Sequence, residues 1–451
     1  MASDTGRQRR GATTLCLLTA ASMVLAGCIR DGAFPGASML AGSRPSDPPV
    51  SAAGGEVERA SADKPNAAST IIADLRARHS VLPASGQYAE IANAVLKANQ
   101  GASAAELRVA RLKAEAKARN WLPSVGPSVD LTSLSAVAAG LLFDQLILDN
   151  GRRKAERAFA AADVEVAAVT LATEMNARVH DGLARYVEAE RARAQGAAVE
   201  RSAAHMSEYG RIMDGRVAGG IADKSEARVV SQKLAELRAL SAADRETELT
   251  ARAELTALAG RAMDDISGLP EGPQSVTGPE PLSVLRARGE GRRTVAEAKI
   301  DRAASLPGLK AGASVSNGGI TGGLRVSADR LLGLGTAANL QALEATETVA
   351  SQREAEAADD AARRIVTLER QLAQTLAREA EGAGLVAETE ASFSLYTDQY
   401  KAGVRPLIEV VNLTDSFARM ERDQVGLAYD AALIRLRIAL ERGVLVDGAR
   451  M

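Results

Sequence analysis

One spacing constrains this chain more than any single motif. Pro123, which follows Asn120-Trp121-Leu122, and Pro307, which follows Ala304-Ser305-Leu306, stand 184 positions apart. The same offset separates Gly151 from Gly335 and Gly219 from Gly403. Three punctuation residues at one offset, in equivalent local contexts, indicate a duplicated half-molecule rather than a solenoid of short units. Each half holds a Pro-free, Ala-rich, charge-laced run, 151–216 in the first and 336–402 in the second. Each run then meets a Gly turn, and returning helices are predicted over 223–259 and 406–441, with Pro406 in the first turn of the second. At about 1.5 Å per residue, each long helix would reach roughly 100 Å.

Composition says how such helices pack. Aromatic residues are only 3% of the chain and Ala dominates the helical runs. That mixture does not fill a thick globular core, but it lets helix backbones approach closely. Val164, Ala167, Ala168, Leu171, Met175 and Val179 form one apolar stripe, and Ile365, Leu368, Leu372, Leu376, Ala380 and Leu385 form another. Their mixed steps of three to five predict seams between helices. Charges such as Arg152, Arg153, Lys154, Glu156 and Arg157 are read as a solvated face. A further helix is predicted over 85–119, stopped by Trp121-Leu122-Pro123.

Between the helices the period changes. Leu309, Ala311, Ala313 and Val315 alternate with Lys310, Gly312, Ser314 and Ser316. Asn317-Gly318-Gly319 supplies a turn, and Leu324, Val326 and Ala328 alternate again with Arg325, Ser327 and Asp329. An Asn-Gly turn between alternating runs predicts a β-hairpin, here over about 308–331. The first half offers a less regular counterpart over about 123–148. Two lone hairpins are not stable in water, and four strands are too few to close a barrel around a pore. They require partners, from each other or from other subunits. Two readings stay open on these residues: strands pooled by an oligomer in lipid, where no sheet edge survives, or a soluble four-stranded cap on the helices.

The N-terminus is a targeting segment. Arg7, Arg9 and Arg10 precede an apolar stretch, Ala12 to Ala26, too short to span a membrane comfortably. The ending Leu25-Ala26-Gly27-Cys28 resembles a bacterial lipobox, which implies cleavage before Cys28 and diacylation of Cys28; the other reading is an ordinary signal peptide with an incidental Cys. Cys16 lies inside the leader, so Cys28 is left without a disulfide partner. Ile29 follows it where Asp would be the usual inner-membrane retention signal, which implies sorting to the outer membrane. The Pro-, Gly-, Ser- and Ala-rich stretch from Asp31 to about Asn66 reads as a tether.

Several of these stretches resemble the TolC-type family of outer-membrane efflux and secretion channels. Trp121-Leu122-Pro123 is similar to that family's approach to its first hairpin, and Leu148-Asp149-Asn150-Gly151-Arg152-Arg153 to its return into the long helix. Tyr400-Lys401-Ala402-Gly403 followed by Ile408-Glu409-Val410-Val411-Asn412 resembles the second helical tip, and Leu433 to Gly443 the last helix. The resemblance runs from about Tyr88 to Leu445. It implies a mainly α fold with two inserted β-hairpins, whose long antiparallel helices form a trimeric α-barrel. A twelve-stranded β-barrel would be pooled from three subunits in the outer membrane. It also implies a periplasmic adaptor docked at the helical tips, around Gly219, Gly220, Gly403 and Val404, and an inner-membrane transporter behind it. Glu409, Asn412 and Asp415 are the implied tunnel-gate residues, although Asn412 stands where some family members carry an acid. A second departure is the sparse aromatic girdle, with Trp121 and Phe143 near the first hairpin and nothing near the second.

The expected layout is a signal peptide at 1–27, a lipidated tether at 28–70, a first repeat at 71–267, a linker or irregular belt at 268–281, a second repeat at 282–445 and a tail at 446–451. The expected function is a passive outer-membrane exit duct of a tripartite efflux pump or type I secretion system, without bond chemistry. The rival is a lipid-anchored periplasmic coiled-coil spacer or adaptor without a pore. No cofactor, metal or catalytic residue is expected: His79, His180 and His205 are the only His, and no Cys and acid cluster accompanies them. The Asn317-Gly318-Gly319 glycines are followed by no Lys-Ser or Lys-Thr pair, so they make no phosphate loop. A net charge of −2 does not indicate a nucleic-acid surface.

Overall fold

The computed structural model describes residues 69–98, 101–133, 136–270, 278–316, 319–327 and 336–450, with side chains described outside 128–139, 316 and 327. The leader, Cys28, the tether, the Asn317-Gly318 turn, linker residues 271–277 and Gly335 lie outside the described residues. The elements run α1 (Thr70–Ala77), α2 (Gln87–Ala98), α3 (Ala102–Ala118), β1 (Ser124–Ser133), β2 (Ala136–Leu148), α4 (Arg152–Ala218) and α5 (Lys224–Ala259). The second half repeats the order with α6 (Leu282–Ala304), β3 (Gly308–Ser316), β4 (Gly319–Ser327), α7 (Thr336–Lys401) and α8 (Leu407–Arg442), before a 3-10 turn at Gly448–Arg450. Each half therefore holds a helix, a hairpin, a long helix and a returning helix, and the first half carries α1 and α2 ahead of these.

The duplication carries a one-residue slip that the three matched residues concealed. Helices α4 and α7 begin 184 positions apart, but α5 and α8 begin 183 apart, because α4 has 67 residues and α7 has 66. Gly219 is thus the counterpart of Ala402, and Gly220 that of Gly403. The backbone agrees: Gly219 has φ −78°, whereas Gly220 and Gly403 have φ +73° and +76°. At both tips the left-handed Gly donates its N–H three residues back, to Val217 (3.0 Å) and Tyr400 (2.9 Å). The next residue, Ile221 or Val404, donates five back, to Arg216 (2.8 Å) or Gln399 (2.9 Å). This paired closure satisfies carbonyls that a helix end leaves open.

The helix predicted over 85–119 is two helices. Gly101 sits in extended backbone (φ −76°, ψ 166°) and starts α3 afresh. Alanines on both sides of it continue the apolar stripe, so periodicity alone does not reveal the break. Pro406 caps α8 from the preceding position instead of standing in its first turn.

The start of α4 shows how a strand is turned into a helix. Asn150 and Gly151 both take positive φ, 50° and 85°. The Asp149 carboxylate accepts the N–H of Gly151 (3.1 Å) and of Arg153 (2.9 Å), capping a helix whose Gly151 has no capping side chain. Asn150 Nδ2 donates to the Pro307 carbonyl (2.9 Å), which ties the exit of the first hairpin to the start of the second.

The four strands form one antiparallel sheet in the order β1-β2-β3-β4. The two hairpins therefore pair with each other, from Gly140↔Ser316 to Leu148↔Leu309, with one register shift between Leu146 and Leu148.

Below the sheet, α4 is the common partner. Its side chains enter all three apolar clusters: Val169 and Leu171 near α1, α3 and α6; Leu183 and Tyr186 near α2, α5 and α8; and Val199, Met206 and Met213 near the tips. Helix α7 is the opposite case. Only Ala361, Ile365 and Thr375 are buried along it, and half of the predicted 365–385 stripe, Leu376, Ala380 and Leu385, lies exposed in the single chain.

The first and last described segments meet beside α4. Buried Arg78 donates to the carbonyls of Glu280 (2.6 Å) and Arg442 (2.8 Å) and pairs with Asp74 (2.7 Å). Val81 N–H donates to Val444 O (2.9 Å), and Leu445 N–H to Asn176 Oδ1 (2.8 Å). Val446, at the start of the expected tail, is buried there as well. The described edge of the linker joins the same region: Gly268 N–H donates to the buried Glu190 (2.7 Å) and Tyr186 Oη donates to Gly268 O (2.6 Å). Burial, then the Glu190 charge, pushes the Tyr186 hydroxyl pKa well up, and burial pushes Tyr88 beside it up to about 12.

Two outcomes check this account. Gly220→Ala should destabilise the α4–α5 turn by about 1–2 kcal/mol, because a Cβ is strained at left-handed φ, while Gly219→Ala should not. Amide exchange of the turn reads both, and equal effects would refute the assignment. Arg422 donates to Asp244 through Nε (2.8 Å) and Nη2 (2.6 Å), across from α8 to α5, and the Asp244 side chain is only 6% exposed. Arg422→Ala should therefore cost on the order of 3 kcal/mol by stranding a buried carboxylate. Removing the exposed Arg211 from Glu208 should leave the denaturation midpoint unchanged.

Candidate functional site

Cross-strand partners share a face, so the register sorts the sheet. On one face lie Val125, Pro127, Leu141, Phe143, Leu309, Ala311, Ala313, Val315, Ile320, Leu324 and Val326. Gln145 is the polar exception there, and its Nε2 donates to Trp121 O (3.2 Å) at the helix junction. On the other face lie Ser124, Asp144, Lys310, Ser314, Thr321 and Arg325, with Gly126, Gly312 and Gly323, and Leu142 and Leu146 as the apolar exceptions. In a soluble protein the apolar face would be the covered one. Here Ile320, Leu324 and Val326 are 77%, 69% and 70% exposed. The outer edges of β1 and β4 carry no further strand among the described residues. No described helix is long and apolar enough to cross a membrane.

The other end of the molecule holds the two helical tips. Ile221 and Val404, which follow the left-handed glycines, are 72% and 73% exposed. Val404 was expected among the tip residues and Ile221 was not. Aligning Gly220 with Gly403, rather than Gly219, would have found it.

The three gate candidates are not equivalent. Glu409 and Asn412 are exposed on α8. Glu409 pairs with Arg405 across the turn, and the Arg405 guanidinium lies 3.9 Å from the Tyr396 ring centroid. Asp415 is buried. It pairs with Lys233 of α5 (3.0 Å) and with Arg419 (3.3 Å), and Arg419 reaches on to Glu236 (3.4 Å). The hydrogen bond to Asp415 holds the Lys233 ammonium pKa above the usual lysine value. Its stabilising contribution is present below the unfolded lysine pKa and is lost as pH rises through the raised folded value. The structure thus places Glu409 and Asn412 at the surface, and Asp415 in the α5–α8 seam.

Among the described residues no group of three or more His, Cys, Asp and Glu side chains is placed to hold a metal.

No family model and no curated protein matches the chain. Its fold does match solved structures. The outer membrane protein VceC from Vibrio cholerae is 16% identical, covering 79% of this chain and 96% of that one, with a TM-score of 0.66. A membrane protein from Pseudomonas aeruginosa is 17% identical, over 86% and 96%, with a TM-score of 0.69. The CmeC outer membrane channel of Campylobacter jejuni is 12% identical, over 80% and 86%, with a TM-score of 0.64. The long-helix body carrying one four-stranded sheet therefore shares its fold with outer-membrane channel proteins.

Proposed function

We propose that this chain is one subunit of a homotrimeric outer-membrane channel, a passive exit duct for an energised efflux or secretion system. The observation that carries the reading is the sheet, with one apolar exposed face, one polar face and two unpaired edges. In lipid such edges must close on other strands. With four strands per chain, two copies give eight, whose interior side chains fill. Three copies give twelve, the smallest set in this series with room for a passage. The apolar face then meets lipid and the polar face lines water. The uncovered stripe of α7 supports neighbouring copies along the helices as well.

In this reading the helices, roughly 100 Å long, form a tunnel across the periplasm. The tips around Gly219, Gly220, Gly403 and Val404, with Ile221 added, dock a periplasmic adaptor that connects to an inner-membrane transporter. In the same reading the exposed Glu409 and Asn412 line the narrow end, and Asp415 supports it by holding α8 to α5. Cys28 carries the lipid that tethers the N-terminus to the outer membrane. The protein itself moves nothing and breaks no bond; its partners supply the energy.

Export of the Cys28→Ser protein behind an ordinary signal peptide tests the reading. The expected outcome is retention in carbonate-washed outer membranes and a detergent-extracted mass of three subunits. Release as a soluble monomer or dimer would sink the barrel and leave a lipid-tethered coiled-coil spacer.

A further inference from the structure

Helix α4 has two sides of different kind. Gly182 and Tyr186 face α2: Val95 lies against Gly182, and the Tyr186 ring meets Tyr88 edge to face. At about 3.6 residues per turn, Asp181, Ala184, Glu188 and Arg191 fall on the opposite stripe. There α4 borders a cleft of about 370 Å³, completed by Leu368 and Gln371 of α7 and by Leu433, Ile434 and Arg437 of α8. Both flanking helices are tied to α8, Arg191 of α4 through Asp430 (2.8 Å) and Arg364 of α7 through Glu441 (3.0 Å). The cleft is apolar within and polar at its rim. Ala184, Leu368, Leu433 and Ile434 are half-buried, and Gln371 and Arg437 are exposed. Arg185 is engaged by Glu188 (2.6 Å) and Glu254 (2.7 Å), as Arg191 is by Asp430. Among the described residues no side chain pairs with the Arg437 guanidinium. Asp181, 3.2 Å from His180 Nδ1, is the acid of the lining that no arginine holds. An apolar hollow of roughly 300–1,000 Å³ with a few polar groups at its edge is the usual form of a small-molecule site.

We infer that this cleft binds amphipathic acids, the apolar body lying on Ala184, Leu368, Leu433 and Ile434 and the carboxylate or sulfonate on Arg437. Apolar area taken from water supplies attraction without direction. The guanidinium fork adds charge-assisted hydrogen bonds to an oxyanion and so selects the sign of the solute. An amphipathic cation gains only the apolar part and is repelled by Arg437. Asp181 opposes an anion from the α4 side and sets a limit on that preference. The cleft is built by one chain, but its place on the wall of the passage rests on the channel reading above. In that reading α2 takes the outside, since a helix laid across the bore would obstruct it, and the opposite stripe of α4 faces the water inside. A solute in transit then meets one such cleft on each subunit.

Protection of a thiol tests the cleft. In the Cys28→Ser protein exported behind an ordinary signal peptide, Ala184→Cys puts a single thiol in the hollow, and Gln371→Cys puts one on the rim as a second reporter. Alkylation by the uncharged N-ethylmaleimide is timed with naphthalene-1-sulfonate, with protonated 1-naphthylmethylamine, and with methanesulfonate, which has the charge without the apolar body. The naphthyl anion should protect at about one third of the concentration that the naphthyl cation needs, the scale of one exposed ion pair, and methanesulfonate should not protect. Arg437→Gln should remove the anion's advantage, and Asp181→Asn should widen it. Thiols that neither react nor are protected overturn the site, as do equal protection by the two naphthyl ions and an advantage that survives Arg437→Gln. Because one chain builds the cleft, the labelling runs on membrane-bound and released protein alike. Protection in protein that the carbonate wash releases keeps the site and loses the channel, whereas retained protein without protection loses only the site.

Discussion

Among the described residues the outer edges of β1 and β4 are unpaired, and in the proposed channel they are the constraint that most of this structure answers to. A backbone N–H or carbonyl left open in hydrocarbon costs several kcal/mol, and each edge strand carries a row of them. Among the described residues nothing covers Ile320, Leu324 and Val326 on the apolar face, which are all largely exposed. A soluble cap would need that face buried. The same one-sidedness explains the small residues on the polar face. In the proposed channel Gly312 and Gly323 would leave the water-facing wall open, and they would be poor choices for a core.

Below the sheet the chain is organised by α4, and its composition follows from that role. A helix that packs against several neighbours needs small side chains at each seam, because large ones would push one neighbour away from another. Gly182 shows the tightness, since a Cβ there would come within 2.8 Å of Val95 Cγ2. Ala168, Ala172, Ala189 and Ala198 are buried along the same helix. The near absence of aromatic residues, odd for a chain of 451 residues, is what narrow seams demand. Where aromatics do occur they mark a wider place, as Tyr88 and Tyr186 do, edge to face at 6.4 Å.

Much of the architecture was legible because it is written in backbone punctuation. Pro123 and Pro307, Gly151, and Asn-Gly beside an alternating run each act locally, so they are readable without knowing what packs on them. The misreadings have a common physical cause. A helix tolerates one extra residue with no local signal, so the slip between α4 and α7 shows only at the turn, where φ singles out Gly220. Alanine is a good helix former on either side of Gly101, so the break there left the stripe intact. The role of Arg78 could not have been picked out, because beside Asp74 its partners are main-chain carbonyls 202 and 364 positions away. Asp415 read as a gate residue from its distance past Gly403, but its surroundings are set by Lys233, 182 positions earlier. The alternation of Lys310 and Arg325 with apolar residues was visible; that they face each other required the register.

The seams that meet near the tips differ in kind, and the difference bears on how that end of the molecule holds together. Helix α4 meets α5 and α8 through Met206, Met213, Val230, Leu237, Val410 and Val411, all fully buried or nearly so. Apolar seams of this sort do not respond to ionic strength. Helices α5 and α8 meet each other through Lys233, Glu236 and Asp244 on one side and Asp415, Arg419 and Arg422 on the other. An ion-paired seam is screened by salt wherever it is exposed, and half of this one is: Arg419 and Glu236 are open to water, while Asp244 and Asp415 are not. The order in which these contacts yield is therefore built in. The exposed pairs weaken first, the buried carboxylates hold until a partner is removed, and the α4 seams outlast both, so loosening α8 from α5 does not require unfolding either helix.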